Sequence, residues 1–168
     1  MLPPQGGLHI DGGGIHAVLK ASMTDSAYAA TFEVVVPPGF DVGAHVHSRS
    51  QEMFYVVEGQ LDVLGFEPKD RSVPDWHDWE TPSGQKILRG GPGAFMFVPE
   101  NTPHAFANTT DKNTVMFFQS SIAEGHEKYF EELAALLEES GNRPSDEAMA
   151  DLRRRYDTEQ ITAIRAGD

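Results

Sequence analysis

The sequence predicts an all-β fold, a small antiparallel β-barrel with one or two α-helices packed outside it at the C-terminal end. Three observations lead to this prediction. The chain has 168 residues, which suits one domain with a single core. Between residues 15 and 121, short apolar runs alternate with turn residues. After Ala123 the apolar residues recur at helical spacing instead.

The order of these patterns divides the chain into three segments. Residues 1–13 are rich in glycine and proline, which predicts a flexible N-terminal arm or an edge segment. Residues 14–123 are predicted to form the barrel, and residues 124–168 a helical extension. The predicted strands span residues 15–20, 28–36, 45–48, 53–58, 60–66, 93–98, 103–108 and 115–121.

One predicted strand and two predicted helices show their periodicity clearly. In the run 28–36 the alternate residues Tyr28, Ala30, Phe32, Val34 and Val36 share one face, as in a half-buried strand. Apolar residues between Tyr129 and Leu137 lie at helical spacing, and Gly141 stands where a helix C-cap belongs. Ser145, followed by two acids, predicts the N-cap of a second helix.

Residues 67–92 are polar and interrupted by proline and glycine, which predicts a long loop with at most one short strand around 85–88. Trp76, His77 and Trp79 lie inside it. We interpret the loop as a flap that packs on the body of the protein, with a lid over a site as the alternative.

The composition excludes several functions. A net charge of −13 repels nucleic acid and anionic membranes, so neither is an expected partner. The chain has no cysteine, so any metal must be bound by His, Asp or Glu. The N-terminus lacks the basic start and apolar run of a signal peptide, and we therefore expect a cytoplasmic protein.

The stretch from Gly39 to Gly59 is the most informative part of the sequence. His45 and His47 are two residues apart, so on a strand both rings point to the same face and reach one metal ion. If the chain bends after them, Glu52 brings an anionic oxygen to the pair. This donor set fits iron, manganese, cobalt, nickel or zinc.

A second stretch runs from Gly93 through a proline-rich turn to His104 and Asn108. Together the two stretches resemble the paired motifs of the cupin family, the first being Gly-x5-His-x-His-x4-Glu-x6-Gly. The second departs from its motif only at Asn101, which replaces a glycine. Asn tolerates the left-handed backbone conformation, so we expect the turn to be kept.

The resemblance implies a jelly-roll barrel with one divalent transition metal inside, with iron, nickel, cobalt and manganese ranked above zinc. Its implied ligands are His45, His47, Glu52 and His104, and Glu52 is the expected catalytic residue, as both ligand and proton acceptor. Strand parity around these ligands predicts an apolar substrate pocket. The predicted pocket residues are Phe32, Phe54, Val56 and Phe106.

The histidines outside the motifs, His9, His16, His77 and His126, are interpreted as ordinary polar residues. The segment Gly125 to Leu133 is similar to the helix that closes single-domain quercetinase-like cupins. We therefore expect a metal-dependent dioxygenase that acts with O2 on a phenolic, flavonol-like or other hydrophobic, enolisable substrate. The alternatives are a non-redox cyclase or isomerase and a non-catalytic binding barrel. A homodimer is the expected assembly, because open barrel edges favour pairing.

Overall fold

The structure is a computed structural model that describes residues 1–3, 5–12, 14–22, 25, 28–121, 126–141 and 144–165, without the side chain of residue 146. The predicted boundaries at residues 13/14 and 123/124 involve positions outside this part of the chain. All eight predicted apolar runs contain a strand. The elements are β1 Leu8–Gly12, β2 Ile15–Ala21, β3 Ala29–Val36, β4 His45–Val46, β5 Glu52–Glu58, β6 Leu61–Gly65, β7 Leu88–Gly90, β8 Phe95–Val98, β9 His104–Ala107, β10 Thr114–Ser121, α1 His126–Glu139, α2 Asp146–Arg155 and β11 Glu159–Gln160.

The strands form two antiparallel sheets of the jelly-roll type rather than one continuously hydrogen-bonded barrel. The first sheet has the order β1-β2-β3-β10-β5-β8, and the second has the order β11-β4-β9-β6-β7. The core lies between them, because each sheet turns its alternate apolar side chains inward. Phe32 and Met116 come from the first sheet, and Leu61 and Phe106 from the second. The all-β prediction with C-terminal helices is confirmed.

Two strands lie outside the predicted barrel segment. Of the two alternatives for residues 1–13, residues 8–12 form the edge segment and not the flexible arm, since β1 pairs with β2 over its whole length as the edge of the first sheet. Ile10 anchors it in the core. The helical extension is likewise not purely helical, because β11 pairs with β4 through Gln160 and His45. A two-residue strand carries no periodicity that a sequence pattern could reveal.

The two helices follow the predicted caps. Gly141 adopts a left-handed φ of 60° just beyond α1. Ser145 caps α2 by accepting a hydrogen bond from the Ala148 backbone N–H at 3.2 Å. Helix α1 buries Phe130 and Leu133 in the core, so its apolar face covers the space between the sheets. No helix in the described ranges is long and apolar enough to cross a membrane.

The loop 67–92 packs against the second sheet, as the flap interpretation predicted. Trp76 and Trp79 are both 1% exposed and form a separate cluster with Leu64 and Ala105. The Trp76 indole N–H donates to Asp41 Oδ1 at 2.9 Å, which satisfies the buried ring nitrogen. The loop therefore stabilises the outer side of the second sheet, and none of its residues lines the apolar cavity between the two sheets.

Candidate metal centre

The two motifs converge because β4 and β9 are neighbours in the second sheet. His45 and His104 are directly paired across these strands, and Glu52 begins β5 in the facing sheet. His47 follows β4 by one residue. All four side chains are buried, and one donor atom from each lies within 4.8 Å of those of the other three. The structure therefore brings all four sequence-predicted ligands together.

Each of the three histidines is oriented by a hydrogen bond from its other ring nitrogen. In every case Nδ1 faces a backbone carbonyl oxygen, which can only accept, so in the neutral ring Nδ1 carries the proton and Nε2 keeps its lone pair. The acceptors are Gly43 O for His45 at 2.9 Å, Asp157 O for His47 at 2.9 Å and Thr102 O for His104 at 3.0 Å. This is the tautomer that a metal-binding Nε2 requires.

Glu52 faces these ring nitrogens. Its Oε1 lies 3.2 Å from His47 Nε2, and its Oε2 lies 2.9 Å from His104 Nε2. Neither contact has the alignment of a hydrogen bond, so both ring nitrogens are buried without a hydrogen-bond partner among the described residues. Buried polar atoms are normally satisfied. Unsatisfied nitrogens that converge on a carboxylate fit a cation site, and the residues present suit a divalent transition metal.

The protonation states of the cluster follow from its burial. Burial lowers the pKa of His45 well below its usual value, and repulsion from His104 and His47 lowers it further, so His45 is neutral at pH 7. For Glu52, burial opposes ionisation, but attraction to His47 and His104 in their charged forms outweighs it and holds the pKa well below the usual range. The carboxylate is therefore ionised and can act as a ligand. Burial lowers the pKa of His47, but attraction to Glu52 outweighs this effect and raises it, so a metal ion would take the place of a proton on Nε2 of His47.

His126 is a site residue that the sequence interpretation missed. It is the first residue of α1, and its Nε2 lies 2.9 Å from Glu52 Oε1. Its Nδ1 lies 2.9 Å from Ser120 Oγ on β10. An ionised carboxylate can only accept, so the His126 tautomer that suits this contact carries its proton on Nε2 and points that N–H toward Glu52. The similarity of this helix to one that closes other small cupins was the signal that could have identified it.

The turn before His104 is kept despite the departure from the motif. Asn101 adopts a left-handed φ of 61°, as predicted. Its backbone N–H donates to His47 O at 2.7 Å, so the turn of the second motif ties directly to a ligand of the first.

An apolar cavity of about 140 Å³ adjoins the cluster, and His45, His47, Glu52 and His126 line part of it. Phe54 and Phe106 line it as predicted from strand parity. Phe32 and Val56 do not. They are buried in the core, but the ring of Phe118 packs between Phe32 and Phe54, and Val56 lies four residues beyond Glu52 on β5, two residues farther than Phe54.

The remaining histidines have local partners. His9 and His16 contact each other on the exposed edge of the first sheet, and His16 also pairs with Asp11. The His77 ring stacks on Trp76 in the loop. None of these three lines the cavity within the described part of the chain.

Several solved structures share this architecture. A cupin-superfamily sugar phosphate isomerase from Silicibacter pomeroyi is 16% identical, with a TM-score of 0.55 over 72% of this chain and 74% of that one. KdgF from Halomonas sp. is 19% identical, with a TM-score of 0.50 over 68% and 86%. A predicted oxalate decarboxylase from Thermotoga maritima is 16% identical, with a TM-score of 0.50 over 65% and 81%. At these identities the likeness concerns the fold alone.

Sequence comparison gives the family. No curated protein matches the chain significantly. Residues 19–139, which include both motifs and the whole of α1, match the family described as Cupin. With the jelly-roll sheets and the buried cluster of three histidines and one glutamate, this match shows that the chain belongs to the cupin family.

Proposed function

We propose that this protein is a metal-dependent cupin enzyme, a dioxygenase that acts on a small, hydrophobic, enolisable substrate. One observation supports the proposal most directly. Three oriented histidines, of which His47 and His104 have unsatisfied Nε2 atoms, converge on one ionised carboxylate. His45, His47 and Glu52 of this cluster form part of the wall of a largely apolar cavity. A donor set that opens onto a cavity suits a metal that meets substrate, whereas a purely structural metal site is closed.

The proposed ligands are His45, His47, Glu52 and His104. When bound, the metal supplies Lewis-acid and redox chemistry to the substrate. Four protein ligands complete the tetrahedral set of zinc. Iron, nickel, cobalt and manganese accept more ligands and keep positions for substrate or O2, so we favour these four metals.

The cavity limits the substrate. Its volume of about 140 Å³ is close to that of an engineered cavity of about 150 Å³ that holds benzene. It therefore fits one ring, which narrows the expected phenolic substrates from three-ring flavonols to single-ring compounds. Phe54, Phe106 and Phe118 line it. These rings offer a sugar's hydroxyl groups no hydrogen-bond partner, so a hydrophobic substrate fits better than a carbohydrate.

Glu52 is the proposed proton acceptor. Its Oε1 is held by the His126 N–H, and Ser120 stands behind the His126 ring. This arrangement holds the carboxylate in one orientation beside the cavity, where it can take a proton from an enolisable substrate within hydrogen-bond reach. His126 and Ser120 then keep the position of the accepting oxygen constant.

The same proton-handling group favours a second candidate, a non-redox cyclase or isomerase. Such an enzyme needs a base and a Lewis acid but no O2. The ligand set is identical for both candidates, so only the requirement for O2 separates them. A barrel that binds a small molecule without converting it is the third possibility.

The test is metal content by elemental analysis of protein purified without chelator or metal-affinity tag, followed by O2 uptake with catechols and small 1,3-diketones. About one iron, nickel, cobalt or manganese per chain with O2 consumption supports the dioxygenase. Turnover that continues unchanged without O2 assigns the cyclase or isomerase instead. A ligand that is recovered unchanged with the metal-loaded protein assigns the binding barrel.

We also propose that the protein is a homodimer. Four exposed aromatic side chains lie close together on the outer face of the first sheet, where Tyr55 is paired with Phe95 on one side and Phe117 on the other, and Phe97 is adjacent. Exposed apolar patches of this kind commonly mark an interface. Light scattering of the wild type and of Phe95→Lys tests it. A wild-type monomer at micromolar concentration refutes it.

A further inference from the structure

Arg153 is a cation in the wall of the cavity and has no carboxylate partner in the described part of the chain. It lies in the last turn of α2 and lines the cavity together with the metal-ligand cluster. The two arginines that follow it differ in this respect, because Arg154 pairs with Asp151 and Arg155 pairs with Glu132. The chain has twice as many acidic as basic residues, so most arginines can find an acidic partner. An arginine that lines a cavity and has no such partner therefore needs an explanation.

The guanidinium is held in one orientation. Nη1 of Arg153 donates to Gln160 Oε1 at 2.5 Å. The amide nitrogen of Gln160 in turn donates to Val42 O at 3.1 Å and Thr162 O at 2.7 Å, so the acceptor itself is fixed by two backbone carbonyls. A side chain positioned in this way has already lost much of the rotamer entropy that ligand binding would otherwise remove.

One edge of the guanidinium remains available. Nε of Arg153 is buried and has no hydrogen-bond partner among the described residues. Because Gln160 occupies Nη1, the side formed by Nε and Nη2 is left, and its two parallel N–H groups match the two oxygens of a carboxylate. An unsatisfied buried donor of this kind is costly unless a ligand pairs with it.

Arg153 also lies where the cavity meets the surface. A groove of about 530 Å³ lies outside the cavity, and Arg153, Thr158 and Gln160 line both spaces. Arg154 lines the groove as well. The acidic residues Asp157 and Glu159 line the groove too, so the groove itself carries no excess of positive charge. Arg153 is the cation that the groove shares with the cavity, and an anion that enters the cavity from the groove therefore passes it.

We propose that Arg153 is a specificity-determining residue that binds a carboxylate of the substrate, so that the cavity takes a small monocyclic carboxylate. This inference rests on the proposed function, because it places the substrate in the cavity beside the metal ligands. Among the described residues, Arg153 is the one arginine that lines the cavity, and its single positive charge matches a monoanion. A phosphate dianion is more strongly hydrated and needs more donors than this mainly apolar wall provides.

The test measures the binding of benzoate and of its neutral analogue benzamide to the metal-free full-length protein by isothermal titration calorimetry. Removing the metal prevents the carboxylate from binding to it. We expect the wild type to bind benzoate at least about tenfold more tightly than benzamide. Arg153→Gln should abolish this preference and leave the benzamide affinity unchanged, which a merely structural role of Arg153 would not do.

Arg154→Gln is the matched control on the same helix, and it should keep the preference for benzoate. Arg153→Lys retains the charge without the parallel N–H groups and should show a reduced preference, which tests the inference even if Arg153→Gln folds poorly. A wild type without preference, or an undiminished preference in Arg153→Gln, overturns the inference. The outcome is independent of O2 uptake, so failure of the proposed dioxygenase and failure of this inference are distinguishable.

Discussion

The contact between His126 and Glu52 predicts that a residue outside both cupin motifs controls metal affinity. Replacing His126 with Phe removes the donor to Glu52 Oε1 but keeps an aromatic ring against Phe118, whose centroid is 5.4 Å from that of His126. The core should therefore stay filled. Glu52 should become free to rotate away from the two ring nitrogens that it now faces.

The magnitude follows from the burial of both partners. Glu52 is 2% exposed and His126 is 9% exposed, so water can replace the lost donor only in part. A hydrogen bond to a charged group contributes about 1.5–3 kcal/mol, which corresponds to a change of about 10- to 150-fold in a binding constant. Loss of hydrogen bonds around metal ligands typically lowers metal affinity about 10- to 100-fold. We expect a decrease within this range.

The assay is a Co²⁺ titration followed by the visible absorption of the bound ion, with a competing chelator. His126→Gln should restore part of the affinity, because its amide nitrogen can donate to Glu52. His9→Phe, on the exposed strand β1, should bind Co²⁺ like the wild type. A His126→Phe protein that is folded and binds Co²⁺ with wild-type affinity would refute the reasoning.

Three further predictions concern the ligands, an ion pair and the motif glycines. His104→Ala should lose the metal, as measured by elemental analysis, and keep a native circular dichroism spectrum, since one ligand is removed without a large cavity. Burial opposes the ionisation of Asp62, but hydrogen bonds from Arg89 and Thr109 hold its pKa below the usual value. The stability that Asp62 contributes is thus present at neutral pH and lost as the pH falls below about 4. In Asp62→Asn, the free energy of unfolding, measured by chemical denaturation, should therefore decrease less steeply with pH in this acidic range. Chemical denaturation should show a larger loss of stability for Gly59→Ala than for Gly93→Ala. Both glycines have a left-handed φ, but a Cβ at Gly59 would lie 2.9 Å from the Cα of Thr114, whereas a Cβ at Gly93 would meet no atom within 4 Å. Equal losses would contradict the steric argument.

Much of the fold could be read from the sequence because its strands carry local signals. The alternation in β3 is strict, and Ala30, Phe32, Val34 and Val36 are all buried. Tyr28, which continued the same pattern, lies before the strand and is exposed. The short strand expected near residues 85–88 begins only at Leu88. Its position depends on pairing with β6, which no local pattern records.

The sequence by itself predicted the four candidate ligands, three from their spacing and the complete set from the resemblance of the two motifs to those of cupins. His45, His47 and Glu52 lie within eight consecutive residues, where strand parity and one bend suffice to bring them together, and His104 follows a turn whose conformation Asn101 can adopt. The constraints on the first three residues are short-range, and so a spacing motif can express them. His104 reaches them only because β9 pairs with β4.

Only the tertiary structure decided what surrounds the ligands. Asp157 accepts a hydrogen bond from His47, 110 residues away in the chain, and His126 and Arg153 reach the cluster and its cavity from the two helices. Each of these contacts depends on how the C-terminal segment folds back across the sheets. Helix periodicity shows which face of a helix is apolar, but it does not show which single polar side chain on that helix meets a buried carboxylate or an apolar cavity.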